Sequence, residues 1–162
     1  MRKLARLSVA MRFKDACNPE VSSASVAWHI DHSLRVINKI CNDLQTSDPQ
    51  SYKFEENPAR QWVLKNKIIK RGIAQAPEAV TFDGKVTSKI LLEQLEEAKK
   101  NLILFETLPT HAFFSHHAMG MFTRDEAKKF LKIHTQHHLS IIEDIISSKT
   151  ETNKEEELTA AI

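Results

Sequence analysis

Glycine occurs only three times in this 162-residue chain and proline only five times. So little turn-forming punctuation argues against a fold of many short strands joined by tight turns, and favours long helices. Cysteine is equally scarce. Cys17 and Cys41 form neither a CxxC pair nor a disulfide framework, as expected of a chain in a reducing compartment. No stretch approaches the roughly 18 consecutive apolar residues of a membrane span. The opening "MRKLARLSVAMRFKDACNPE" is basic but has no apolar signal-peptide core, so the expectation is a soluble, cytoplasmic protein. A formal charge of +2 is too small to mark a nucleic-acid surface. What remains, at 41% apolar and 27% charged, has the composition of one ordinary globular domain.

Four helical segments are legible. The first is expected from about Val21 to Thr46, where Val26, Ile30, Val36, Ile37, Ile40 and Leu44 gather on one face and Asp31, Arg35 and Asn38 lie opposite. The second opens at Asn57-Pro58, a cap residue followed by proline at the first helical position, and is read on to Arg71-Gly72. A long irregular connection, "GIAQAPEAVTFDGK", follows. The third, about Val86 to Leu108, is rich in helix formers, carries a Glu96–Lys100 pair and ends at Pro109. A second loop, "PTHAFFSHHAMGMF", leads to the fourth, which Thr123 and Glu126 announce as a capping box with Phe122 just ahead of the cap. That helix is read to about Ser148. No strand is expected. The resulting fold class is all-α, a four-helix bundle with long inter-helix loops over 20–148, between an N-terminal extension at 1–19 and a flexible tail at 149–162.

"KIHTQHHLSII" places three histidines inside the apolar stripe of the fourth helix. On a helical wheel Phe130, Leu131, Ile141, Ile142 and Ile145 define a centre from which His134 and His138 depart by roughly 20° and His137 by about 80°. Two imidazoles four residues apart on an inward face can chelate one divalent ion. The plainer reading is a pair of core histidines satisfied by hydrogen bonds, at the expense of burying four ring nitrogens. A third ligand would come from the facing helix, where "AWHIDHSL" offers His29, about 50° from the apolar centre, and His32, about 110° from it. The wheel prefers His29 and leaves His32 open. His111, His116 and His117 fall in the loop and read as solvated or capping groups, while Asp31 and Glu143 fall on polar faces and make poor ligands. Three neutral imidazoles would leave positions for water or substrate.

In order and spacing, "WHIDHSLRVI", "RGIAQAPE" and "HHAMGMFTRDEAKKFLKIHTQHHL" resemble the DinB-like superfamily, and specifically the branch in which an early histidine helix is followed by an HxxHH helix. The resemblance spans roughly Val26 to Ile146. It implies a four-helix bundle holding a divalent ion, zinc or nickel, on one early histidine and a late HxxxH pair, which carry over to His29, His134 and His138. His32 and His116 are then accessory candidates. Members of the superfamily include metal-dependent thiol transferases, hydrolase-like enzymes and a maleylpyruvate isomerase that uses a thiol cofactor. The arginine that often follows the last histidine in the thiol transferases is Leu139 here, which weakens the case for a thiol cosubstrate. The function expected is therefore that of a metal-dependent enzyme, a hydrolase or thiol transferase, activating water or a thiol on a small-molecule substrate. The alternatives are a non-catalytic metal-binding bundle acting as an interaction module, and a bundle whose histidines bind nothing. A homodimer is expected from the resemblance and from Trp28, which the wheel places off the core face.

Overall fold

The computed structural model describes residues 2–72, 76–82 and 84–160, with side chains through 148. The "GIAQAPEAVTFDGK" connection and the "RGIAQAPE" motif therefore fall partly outside the described residues. Among those residues the chain forms five α-helices and one small hairpin: α1 (Arg2–Ala10), α2 (Val26–Thr46), α3 (Pro58–Asn66), α4 (Ser88–Phe105), β1 (Phe113–His116), β2 (Gly120–Thr123) and α5 (Arg124–Ala160). None of the helices is long and apolar enough to cross a membrane.

Two of the helix starts follow the chemistry read from the sequence. Asn57 accepts the Arg60 amide at 2.9 Å ahead of Pro58. Thr123 and Glu126 exchange bonds reciprocally, the Thr123 amide donating to Glu126 Oε2 at 3.0 Å and the Glu126 amide to Thr123 Oγ1 at 3.4 Å. Each bond satisfies an amide that the first helical turn leaves without a partner. Ser25 and Thr87, not read as caps from the sequence, cap α2 and α4 with single bonds of the same kind, so these helices start at Val26 and Ser88 and not near the expected Val21 and Val86.

Four expectations are corrected. The N-terminal segment, expected as an extension outside the bundle, packs on it: α1 buries Leu4, Leu7 and Ala10 and lays Lys3 and Arg6 against Gln136 of α5, with Arg6 also paired with Glu143. The second helix stops at Asn66 instead of Gly72, because Lys67 turns into the left-handed region at φ 57° and returns its amide to the Val63 carbonyl at 2.8 Å. Helix α5 runs on to Ala160, beyond Ser148, through a polar segment rich in helix-forming Lys and Glu. In the third helix Glu96 pairs with Lys99 at 2.6 Å and not with Lys100.

The second loop also holds two strands where none was expected. Phe113↔Thr123 and Phe114↔Phe122 pair across the hairpin, whose return is made at Gly120 with φ +68°. Each strand is only four residues long, too short to show an alternating pattern that could be told from a loop. Arg60, 2% exposed, locks the hairpin to α3: its guanidinium donates to the carbonyls of Glu55 and Met121 and, at 3.4 Å, to that of Met119, with Glu126 3.8 Å from Nε.

Helix α2 is the central element, and this explains where its wheel misled. Its apolar residues Val26, Ile30, Val36, Ile37, Ile40 and Leu44 are buried as expected, but Asp31 (2% exposed) and Asn38 (5%) on the opposite face are buried too. Helix α4 covers that face. Asn38 donates to the side-chain oxygen of Gln94 at 2.9 Å, and Gln45 reaches Asn101. Residue numbers rise together on both sides of this contact, so α2 and α4 run parallel. Against α5 the numbers run oppositely, His29 meeting His138 and His32 meeting His134, so that pair is antiparallel. A polar face on the wheel here means a polar interhelical seam.

Candidate metal centre

The antiparallel crossing of α2 and α5 brings four histidines into one cluster. His29 and His32, three apart, point from α2 toward α5, and His134 and His138, four apart, point back, as the two faces of a helix pair require. His32, His134 and His138 form the compact set, with one ligand nitrogen from each lying within 4.8 Å of the others. The ring of His138 lies 4.6 Å from that of His134 and 4.8 Å from that of His32. His29 reaches the set from the side, its Nδ1 3.0 Å from Nδ1 of His138. The structure thus groups His32 with the late pair, and places His29 one hydrogen bond behind it.

His32 is buried because the groove beside the α2 core face is filled. A 3-10 turn, Glu78–Val80, lies over it, and the Val80 carbonyl sits 2.9 Å from His32 Nδ1. A carbonyl only accepts, so Nδ1 of His32 carries the proton and its Nε2 is a bare lone pair. That Nε2 faces Nε2 of His134 at 3.3 Å. Two imidazole nitrogens bound to one tetrahedral zinc at about 2.0–2.1 Å stand about 3.3 Å apart, so this edge already has the spacing of a ligand pair.

His134 is left incompletely satisfied. Its Nδ1 is a buried nitrogen with no hydrogen-bond partner among the described residues. If Nε2 donates to His32, Nδ1 is a bare acceptor; if Nε2 is bare, two lone pairs face each other with nothing between them. A buried polar atom left unpaired costs about 1–3 kcal/mol, and a cation between the two nitrogens removes the repulsion. The donor set of neutral imidazoles therefore fits a divalent transition metal ion.

The cluster's electrostatics keep it uncharged. Burial, reinforced by the other histidines, lowers the pKa of His134 well below 6.5 and that of His138 as well, and lowers that of His29 to about 4. His32 is lowered by burial too, opposed by its bond to Val80 and by the nearby charge of Asp31. At neutral pH all four are neutral imidazoles, each keeping one N–H and one lone pair, the form a metal binds.

Trp28 belongs to this site. Its indole stacks on His32 at 4.9 Å with 8° between planes and meets the edge of His29 at 5.1 Å. It is half-buried, which removes the exposed aromatic on which a dimer contact was expected. Asp31, expected on a polar face, is buried beside the cluster, where Arg35 Nε donates to its Oδ2 at 2.6 Å while its Oδ1 has no hydrogen-bond partner among the described residues.

The remaining histidines stay outside the compact set. His137 is half-buried with its ring edge-on to His138 at 5.1 Å. His116 sits on β1, half-buried against Phe130, and accepts the Ala118 amide at 3.2 Å, whereas His111 and His117 are exposed. Glu143 is exposed and pairs with Arg6. Two contributors escaped the sequence reading, the Val80 carbonyl and Ser22, whose Oγ lies 3.0 Å from His29 Nε2. A carbonyl belongs to every residue and leaves no sequence signal.

No family model, no curated protein and no solved structure matches the chain.

Proposed function

We propose that this protein is a divalent-metal protein of the DinB-like kind, a helical bundle that holds zinc or nickel on His32, His134 and His138 and uses it on a small-molecule substrate. The observation that carries the reading is the facing pair of Nε2 atoms on His32 and His134, one a bare lone pair by virtue of Val80, beside an orphaned buried Nδ1. The order of histidine motifs along the chain supports the family likeness, although His29, which that likeness selects, has both ring nitrogens engaged elsewhere. A bound divalent ion would supply Lewis acidity, bringing a water or thiol on it toward ionisation near neutral pH.

The chain's own residues have separable tasks in this reading. His32 is aimed by the Val80 carbonyl and shielded by the Trp28 indole, and Asp31 sets a negative charge near it that favours its basicity. Three protein ligands leave a position open, the arrangement expected of a catalytic centre and not of a closed structural one.

Elemental analysis of protein purified without a histidine tag, followed by turnover assays on thiol-acceptor and hydrolysable substrates before and after chelation, tests the reading. Near-stoichiometric zinc or nickel with chelator-sensitive turnover is expected. Metal without turnover would favour the interaction module, and a chain that takes up no metal would overturn the reading.

A further inference from the structure

Both nitrogens of His29 are engaged: Nδ1 lies 3.0 Å from Nδ1 of His138 and Nε2 lies 3.0 Å from Oγ of Ser22. Ser22 is itself fixed, its Oγ accepting the Ala24 amide at 3.1 Å just ahead of α2. A chain Ser22–His29–His138 therefore runs from the α2 entry to the centre. His29 is 3% exposed and His138 6%, so water has little access to either ring.

Protons can occupy this chain in two ways. In the inward arrangement the Ser22 hydroxyl donates to His29 Nε2, His29 Nδ1–H donates to His138 Nδ1, and the proton of neutral His138 is left on Nε2. In the outward arrangement His138 Nδ1–H donates to His29 Nδ1, His29 Nε2–H donates to Ser22 Oγ, and Nε2 of His138 is bare. The serine hydroxyl can serve either, being both donor and acceptor. With Nδ1 of His138 occupied by His29, Nε2 is the nitrogen left to ligate, and only the outward arrangement leaves it without a proton.

We propose that His29, held by Ser22, is an outer-sphere positioning residue that accepts the Nδ1 proton of His138 and so presents Nε2 of His138 to the metal. This rests on the metal reading given above. It assigns His138 the support that Val80 gives His32, a hydrogen-bond acceptor behind the ligand ring that fixes its tautomer and orientation. It also gives the early histidines distinct roles, His32 as ligand and His29 as the group behind a ligand.

Cobalt(II) titration of the metal-free full chain at fixed neutral pH, followed by visible absorption, tests the assignment. Variants His29→Leu, His29→Asn, Ser22→Ala and Ser22→Thr are compared with wild type. An asparagine places an acceptor oxygen at the position of His29 Nδ1, whereas leucine offers none. Removing such outer partners weakens metal affinity about 10–100-fold, so His29→Leu is expected to bind one cobalt with the wild-type band shape in that weakened range. His29→Asn is expected to recover most of the loss, and Ser22→Ala to weaken binding where Ser22→Thr does not. Unchanged affinity in His29→Leu would overturn the assignment, as would loss of stoichiometric binding with an altered spectrum, which would make His29 a ligand. Should His29→Leu fail to fold, equal affinities in Ser22→Ala and Ser22→Thr would overturn it. Wild-type protein that takes up no cobalt would instead overturn the metal reading, and the positioning role with it.

Discussion

His32 Nδ1 lies 2.9 Å from the carbonyl oxygen of Val80, across 48 residues of chain. That bond joins the turn between α3 and α4 to the histidine helix and decides which nitrogen of His32 faces the cluster. It couples the placement of a loop backbone to the orientation of a candidate metal ligand.

Zinc is expected to raise the melting temperature of the wild-type chain, and a chelator to reverse the rise. A ligand that binds only the native state stabilises it by about 2.7 kcal/mol at one hundred times its dissociation constant. His137→Ala should keep the zinc response, because its ring lies beside the compact set and not in it. Thermal unfolding followed by circular dichroism, with and without zinc, measures both.

The metal-free protein is expected to lose stability as pH falls below 6.5. An unfolded histidine takes up a proton near 6.5, whereas His29 in the fold resists until about 4. Between those values the unfolded state binds more protons, so stability rises with pH through this window and is fully present above it. His29 alone accounts for about 3 kcal/mol of this dependence, at about 1.4 kcal/mol per pH unit of displacement. His134 and His138, displaced in the same direction, extend the loss to lower pH. Urea titrations across pH 7.5 to 4 check the sign and the window.

The sequence carried two of the helix starts and the inward pair of α5 histidines well, because both rest on local chemistry. Asn57-Pro58 and Thr123-x-x-Glu126 are caps whatever surrounds them, and the 134/138 spacing puts two rings on one helical stripe wherever the helix packs. The status of His32 and Asp31 could not be read in that way. It depends on α4 and on Val80, which close over a face that a single-helix wheel must treat as solvent. The end of α3 was hidden for a related reason, since nothing in "LKNKIIK" forbids a helix and only the left-handed turn at Lys67 stops it. In the hairpin, four-residue strands around Gly120 are too short for a period to declare itself.

Arg60→Met is expected to destabilise the chain by about 2–4 kcal/mol, through loss of charge-assisted hydrogen bonds and exposure of unmet need in buried carbonyls. The guanidinium serves the Glu55, Met119 and Met121 carbonyls, and methionine can supply none of those bonds. Because the hairpin and not the histidine cluster is affected, metal stoichiometry should be retained in the folded fraction. Chemical denaturation together with a metal titration separates the two effects.

The most direct test is calorimetric titration of zinc into metal-free wild type and into His32→Ala, His134→Ala and His138→Ala at neutral pH. One site per chain in wild type, with stoichiometric binding abolished in each of the three variants, is the predicted result. A wild type that binds no zinc, or three variants that bind it as wild type does, would contradict the account.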